Sequence, residues 1–370
     1  MMKVSRRLIS VALVMGLLCM VFSACGGSST TTTTAATTAV TTAANTTVAT
    51  TTATAAPEPN VADDPKVLFR MASVVMAEAP AGILYQKYCD MVEEESGGSI
   101  VIELYPGSSL MGDSESVEAV ATDVLEMAVI TPSMGVVFET DRRFGLFAMP
   151  TLLESPDHAR KFLEAPEVHQ WYEDLAESTN IRILGGIVMG VRHTTSSKEI
   201  HTTADMAGVK FRISNSIPLI SWVEAVGATP IVMALGETYL GLQQGVVDAS
   251  ENPLPTIISN SFHEVQKYLI KTAHAISIST IGISEKKWQA LTDRQREVMI
   301  RCALVVQTEG LDNIAGEEIA NEQFLKDRGM IVIEPDKESF DAAGKILMDK
   351  MAKEYGQELR DAYDFVKSLK

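Results

Sequence analysis

Arg212 stands where an α/β protein can bind an acidic ligand. Residues 209–213 (VKFRI) alternate apolar and basic side chains, as a half-buried strand does, and Arg212 falls at its end. Parallel sheets bind ligands beyond the carboxyl ends of their strands, and a guanidinium there can hold a carboxylate through two parallel hydrogen bonds. Spacing alone leaves open a structural ion pair with one of the 48 acidic residues.

Asn252 is a second candidate, in the segment Glu251-Asn252-Pro253. A strand is predicted over 246–250, and the proline restricts Asn252 to extended backbone angles. This fixes an amide, with both a donor and an acceptor, at a strand end. A simple Asn-Pro turn is the alternative. The preceding segment, 236–245, is predicted to be a short helix closed by Gly245 in the left-handed region.

These candidates lie within alternating strand-like and helix-like segments. Strands are predicted over 67–71, 100–104, 127–130 and 181–184, and helices over 81–95, 113–124 and 156–177, the last as one or two helices. Alternation at this spacing favours an α/β fold with largely parallel sheets. A capping box of Thr292 and Gln295 opens a helix that meets no strong breaker before about Lys326. Its length of about 50 Å predicts a helix that runs along two lobes.

Composition limits the class of protein. The chain has 370 residues, 46% hydrophobic and 21% charged, which excludes a disordered chain and a multi-span membrane protein. The length suggests roughly two domains. The formal charge of −17 argues against nucleic acid as a partner, because phosphate binding needs clustered Lys and Arg.

The N-terminus is predicted to be a targeting segment. Three basic residues precede an apolar run at 8–22, and Cys25 follows two small residues. We expect residues 1–24 to be a lipoprotein signal peptide and Cys25 to carry lipid; an ordinary signal peptide or an uncleaved anchor is the alternative. Residues 25–64 are rich in Thr and Ala and predict a solvated linker. The folded part is then anchored at the outer face of the cytoplasmic membrane.

No motif for catalysis is found. The sequence lacks phosphate-binding, zinc-binding and nucleophile-elbow motifs, and the SxxK match at Ser284 has no companion motif. We therefore predict a protein that is not an enzyme and needs no cofactor or metal. His158, His169 and His263 fall in polar helical stretches and are expected at the surface. Cys89 and Cys302 are expected to be buried thiols, with a disulfide between them as the alternative.

One long segment carries a family resemblance. Residues 227–257 (GATPIVMALGETYLGLQQGVVDASENPLPTI) resemble the signature of DctP-type solute-binding proteins, the extracytoplasmic receptors of tripartite ATP-independent periplasmic (TRAP) transporters. Residues 192–216 (RHTTSSKEIHTTADMAGVKFRISNS) are similar to the same family in residue type and spacing. Weaker likeness extends over nearly all of 65–370.

The resemblance implies an α/β, two-lobed periplasmic-binding-protein-like fold, with a hinge between the lobes and one long helix across them. It implies lobe I at 65–190 plus about 278–317, and lobe II at 191–277 plus about 318–370. The function implied is capture of a small organic acid, such as a C4-dicarboxylate or a sugar acid, and its delivery to TRAP membrane subunits. Family members are often monomers.

The resemblance also assigns site residues. In the family, the arginine at the position of Arg212 grips the ligand carboxylate, and Arg192 stands where a second arginine often assists. Asn252 and Asn215 match further polar contacts. Four positions depart from the pattern. Leu235 replaces a frequent Phe, Thr131 replaces the glutamate of sialic-acid-binding members, and Gly241 and Ala249 replace the usual Ala and Gly. Thr131, Leu235 and Glu78 are further pocket candidates.

Three other functions compete with transport. A ligand-sensing lipoprotein would bind the same acids and present them to a sensor kinase. A secreted hydrolase or lyase on a similar fold would need a nucleophile or metal motif that the sequence lacks. A binding protein of the ABC type is the nearest structural rival, and the Glu-Asn-Pro segment argues against it.

Overall fold

The computed structural model describes residues 63–370, which form nine strands, twelve α-helices and three short 3-10 segments. The strands are β1 (Val67–Ala72), β2 (Ile100–Tyr105), β3 (Met127–Ile130), β4 (Ile181–Ser196), β5 (Lys210–Ile213), β6 (Thr229–Val232), β7 (Ala249–Pro253), β8 (Tyr268–Ser284) and β9 (Ile331–Ile333). The helices are α1 (Pro80–Glu95), α2 (Asp113–Ala121), α3 (Gly135–Thr140), α4 (Pro156–Glu164), α5 (Pro166–Thr179), α6 (Ile217–Ala225), α7 (Leu235–Gln243), α8 (Leu254–Ser259), α9 (Glu285–Gln289), α10 (Asp293–Asp327), α11 (Lys337–Tyr355) and α12 (Gln357–Ser368). The 3-10 segments are Arg142–Ala148, Thr203–Met206 and Phe262–Glu264.

All nine of these strands belong to one sheet. Its order is β2-β1-β3-β8-β4-β7-β5-β6, with β9 paired to β8. Parallel pairs lie towards both ends, where β1 contacts β2 and β3, and β5 contacts β6 and β7. The three central pairs, β3-β8, β8-β4 and β4-β7, are antiparallel. The prediction of largely parallel sheets is therefore wrong for the centre of the molecule.

Two long strands join the two ends of the sheet. β4 has 16 residues, pairing with β7 through Arg192–Ser196 and with β8 along most of its length. β8 has 17 residues, pairing with β9 near its start and with β3 near its end. The register between them shifts at three places, two of which involve Gly185 and Gly190, and such bulges let long strands bend. The predicted strand over 181–184 is only the first part of β4.

The long helix predicted from the capping box is confirmed. α10 contains 35 residues, and Thr292 Oγ1 accepts a hydrogen bond from the backbone of Gln295 at 3.2 Å while Gln295 Oε1 accepts from that of Thr292 at 3.1 Å. The helix packs on β4 and contacts α1, α4 and α8. It therefore spans elements from both ends of the sheet. No helix in residues 63–370 has the length and apolar character that crossing a bilayer requires.

The C-terminal helices cover part of the core and correct one expectation. His158 was expected at the surface, but it is 2% exposed, and its Nε2 lies 2.8 Å from the backbone oxygen of Val366 in α12. The prediction failed because α12, distant in sequence, packs over α4. Cys89 and Cys302 are buried and unpaired, as expected, and burial raises the pKa of each thiol to about 12.

Candidate functional site

A cavity of about 770 Å³ lies where strands from both ends of the sheet finish. Its wall includes the segments that follow β1, β3, β5 and β6, the start of α2, the end of β7 and the middle of β8. Its volume falls within the range of small-molecule sites. The carboxyl ends of parallel strands meet here, which is where α/β sheets place their ligands.

Arg212 is the buried cation of this cavity. It is 2% exposed, and its Nε and Nη2 donate to the backbone oxygen of Met233 at 3.0 and 2.8 Å. Burial lowers the pKa of the guanidinium to about 10, so it remains protonated at neutral pH. Its Nη1 donates to no acceptor within residues 63–370, and the side chain lines the cavity. One edge of the guanidinium is thus fixed by the protein, and nitrogen donors remain for a ligand.

Arg192 also lines the cavity, but it is paired with a carboxylate. Its Nε donates to Glu251 Oε2, its Nη2 donates to Glu251 Oε1 at 2.7 Å, and its Nη1 donates to Ser277 Oγ at 3.0 Å. The structural ion pair that the sequence left open for Arg212 therefore occurs at Arg192. A contact of Arg192 with a ligand carboxylate stays a prediction.

Glu251 is a buried residue that the sequence reasoning did not single out. Burial opposes its ionisation, but Arg192 and the hydrogen bond with His274 outweigh it and lower its pKa to about 2. His274 lies flat on Trp222, with ring centroids 3.9 Å apart, and its Nε2 is 3.1 Å from Glu251 Oε2. Burial lowers the pKa of His274, so the neutral ring donates to Glu251 and accepts from Thr272 at 2.9 Å. The sequence feature that could have indicated Glu251 as a site residue is its position directly before Asn252.

Most of the other predicted residues line the same cavity. Asn252 is 3% exposed, lies within β7 and not beyond it, and donates to Ser250 Oγ at 3.3 Å. Asn215, Thr131 and Leu235 also belong to the cavity wall. Glu78 does not: it is exposed, and the nearest residues along the chain that line the cavity are Met76 and Ala79. Cys25 lies outside the described residues.

Asp113 is a cavity residue that the sequence reasoning missed. It is the first residue of α2, and its Oδ2 accepts from the Thr131 hydroxyl at 2.9 Å. Its Oδ1 is buried and has no hydrogen-bond partner within residues 63–370. Burial raises the pKa of Asp113 to about 6, and Thr131 and the charge of Arg212 offset this only in part. Its place as the first residue of the helix predicted over 113–124 was the available sequence signal.

The cavity wall contains no His, Cys or Lys among the described residues. Residues 63–370 contain no cluster of three or more His, Cys, Asp or Glu that could hold a metal ion. The site can hold an anion on Arg212, and the rest of its described wall is apolar and neutral polar except for Arg192 and three acidic residues, Asp113, Glu115 and Glu237.

Comparison with known proteins gives a consistent result. Residues 71–355 match the family model DctP, bacterial extracellular solute-binding protein, family 7. The sialic acid-binding periplasmic protein SiaP of Vibrio cholerae is 29% identical over 275 residues, which cover 72% of this chain and 83% of that protein. The C4-dicarboxylate-binding protein DctB of Bacillus subtilis is 28% identical over 261 residues, which cover 70% and 73%. A TRAP periplasmic solute-binding protein from Ochrobacterium anthropi, solved with bound L-fuconate, superposes with a TM-score of 0.77 at 26% identity, over 82% of this chain and 99% of that one.

Proposed function

Because the chain belongs to the DctP family of bacterial extracellular solute-binding proteins, family 7, we propose that it captures a small organic acid outside the cytoplasm and delivers it to the membrane subunits of a TRAP transporter. The family and the two-lobed α/β fold expected from residues 192–257 are confirmed. The relatives above are binding proteins, which supports a receptor and not an enzyme.

The observation that carries this proposal is the state of Arg212. A buried guanidinium whose Nη1 has no acceptor within residues 63–370 is costly, because its charge has lost water without gaining a counter-ion at ion-pair distance; Glu251 and Asp113 act on it only from farther away. A carboxylate in the cavity supplies that counter-ion through short, charge-assisted hydrogen bonds. Closing the lobes around the ligand excludes water and strengthens this contact.

The names of the three similar proteins support a carboxylic acid as the class of ligand. SiaP is named for sialic acid, DctB for C4-dicarboxylates, and the Ochrobacterium anthropi protein holds L-fuconate. All three ligands carry a carboxylate, whereas their remaining groups differ. This pattern agrees with a fixed arginine for the acid and a variable wall for the rest of the ligand.

Delivery and anchoring complete the proposal. The predicted signal peptide and Cys25 supply a lipid anchor, and the linker at 25–64 would span roughly 35 Å as a flexible coil. The receptor then works as a monomer close to the membrane subunits it serves. Labelling with radioactive palmitate in a bacterial host tests the anchor, because Cys25→Ser abolishes the label if Cys25 is its site.

Calorimetry on the purified full chain, refolded to remove carried-over ligand, tests the binding function. The titrants are C4-dicarboxylates, uronates, aldonates, 2-oxo acids and sialic acid. We expect at least one acid to bind, and Arg212→Ala to cost about 2–5 kcal/mol of its binding free energy, as truncation of one partner of a buried charge pair does.

Lys210→Ala is the matched control, because it removes a positive charge from the same strand at an exposed position outside the cavity wall. We expect it to bind the acid as the unmodified chain does. Near-native affinity in Arg212→Ala would remove Arg212 from the site, and binding of no acid by a folded sample would contradict the proposed function.

A further inference from the structure

The cavity holds a second unsatisfied charged group besides Arg212. Asp113 lines the cavity, and while its Oδ2 accepts from Thr131, its Oδ1 is buried without a partner in the described part of the chain. A buried carboxylate oxygen without a donor is unfavourable. A ligand that brings a hydrogen-bond donor to Asp113 recovers that free energy on binding.

The charges of the cavity wall limit the ligand to one carboxylate. Among the described residues that line the cavity, two are basic, Arg192 and Arg212. Glu251 forms an ion pair with Arg192, which leaves Arg212 as the one basic residue of the described wall without an ion-pair partner. Asp113, Glu115 and Glu237 are acidic and line the same cavity. A second ligand carboxylate would find no free cation there and would be repelled by these groups.

We propose that the ligand is a hydroxylated monocarboxylate, such as an aldonate, and that Asp113 selects it by accepting a hydrogen bond from one of its hydroxyl groups. This inference rests on the proposed function, since it takes Arg212 as the anchor of the single carboxylate. Ser214 and Asn215 also line the cavity, and their side chains form no hydrogen bond within residues 63–370, so they can serve further hydroxyls.

The structure shows which kind of donor Asp113 accepts from. The donor within the protein is itself a hydroxyl, that of Thr131. The charges of Arg212 and Asp113 already act on each other, so Asp113 needs no ligand cation to have a positive charge nearby. A ligand hydroxyl completes its hydrogen bonds without adding a charge to the cavity, and γ-aminobutyrate and L-threonine test an ammonium in its place.

Two sets of acids with equal carbon number test the proposal on the purified full chain. The four-carbon set is D-erythronate, L-malate and butyrate, and the six-carbon set is L-gulonate, glucarate and hexanoate. We expect the hydroxylated monoacid of at least one set to bind about tenfold or more tightly than both its diacid and its unsubstituted partner, the increment of one hydrogen bond to a charged group.

Asp113→Ala separates the role of this side chain from that of the whole cavity. We expect about a tenfold or greater loss of affinity for the hydroxylated monoacid and a change below about threefold for the unsubstituted acid. Asp113→Asn keeps the shape of the side chain and removes its charge, which repels a second ligand carboxylate. We therefore expect it to reduce the difference in affinity between the hydroxylated monoacid and the diacid. Glu118→Gln is the control, since it removes a charge from the exposed face of the same helix outside the cavity wall.

The outcomes distinguish this inference from the proposed function. If malate or glucarate binds as tightly as the hydroxylated monoacid of its set, the proposal that the ligand carries a single carboxylate is wrong. If γ-aminobutyrate or L-threonine binds more tightly than the four-carbon hydroxylated monoacid, the ligand group at Asp113 is an ammonium and not a hydroxyl. If Asp113→Ala leaves the affinity for the hydroxylated monoacid unchanged, Asp113 has no role in selecting it. In these three cases a carboxylate still binds and the receptor function stands. If no acid binds to a folded sample, both proposals fall together.

Discussion

Glu251, packed against Arg192, and Asp113, on the cavity wall, are two carboxylates that the protein treats in opposite ways. Glu251, on β7, is fully buried between Arg192 and His274, and its pKa is lowered to about 2 despite burial. Asp113, at the start of α2, has the Thr131 hydroxyl as its donor, and burial raises its pKa to about 6. The number of charged and hydrogen-bonding partners decides the outcome, because both side chains have lost water.

This difference in partners separates a region that supports the site, around Glu251, from the surface that binds the ligand, around Asp113 and Arg212. Around Glu251, the acceptors and donors of Arg192, Ser277 and His274 are matched within the protein, so this region is complete without a ligand. Around Asp113 and Arg212, a carboxylate oxygen and a guanidinium nitrogen have no protein partner within residues 63–370. A ligand is needed there to complete the hydrogen bonds.

The largest expected effect comes from breaking the completed region. Glu251→Ala leaves Arg192 buried without its counter-ion and should cost about 3–5 kcal/mol of unfolding free energy. Urea denaturation of the unliganded protein at about pH 7.5 measures it. The pKa of Glu251 is 4.5 in the unfolded chain and is lowered to about 2 in the folded protein. The stability that Glu251 contributes is therefore present above about pH 4.5 and is lost as the pH falls towards about 2.

A double variant shows whether charge pairing is the cause. Arg192→Met combined with Glu251→Met removes both charges and keeps similar volume, so most of the lost stability should return. Equal destabilisation in the single and double variants would mean that packing, and not the ion pair, dominates this region.

An opposite and smaller effect is expected at Asp113. Its pKa is 3.8 when unfolded and about 6 when folded, so the native state pays for ionising it above about pH 6 and not below about pH 4. Asp113→Asn should therefore stabilise the unliganded protein by about 1–2 kcal/mol at neutral pH, after allowing for the lost helix N-terminal charge. Urea denaturation at about pH 7.5 and about pH 4 compares the two conditions, with no gain expected at the lower pH. Destabilisation at neutral pH would show that the native state stabilises this carboxylate.

The smallest effect is expected from an ion pair far from the cleft. Lys87 on α1 pairs with Glu309 on α10, and both side chains are more than a third exposed. A double-mutant cycle with Lys87→Ala and Glu309→Ala should give a coupling free energy of about 0.2–1 kcal/mol that decreases with added salt. A coupling comparable to that of Arg192 with Glu251 would show that burial does not set the scale of these interactions.

Features that depend on local chemistry could be predicted from the amino-acid sequence. The strand that ends near Arg212 follows from the alternation of apolar and polar residues. The start of α10 follows from the hydrogen bonds of the capping box at Thr292, and the end of α7 follows from the backbone freedom of Gly245. The resemblance of residues 192–216 and 227–257 pointed to the family that the match over residues 71–355 shows. Each of these signals is complete within a short window of the chain.

Which groups find partners depends on how distant segments pack together. This holds for the antiparallel centre of the sheet, the burial of His158 under α12 and the pairing of Arg192 with Glu251. It holds also for the oxygen of Asp113 that has no partner within residues 63–370. Whether an arginine binds a ligand or a neighbour depends on what else reaches its nitrogens in space. That information exists only once the strands and helices have packed, since desolvation and charge pairing act between atoms and not along the chain.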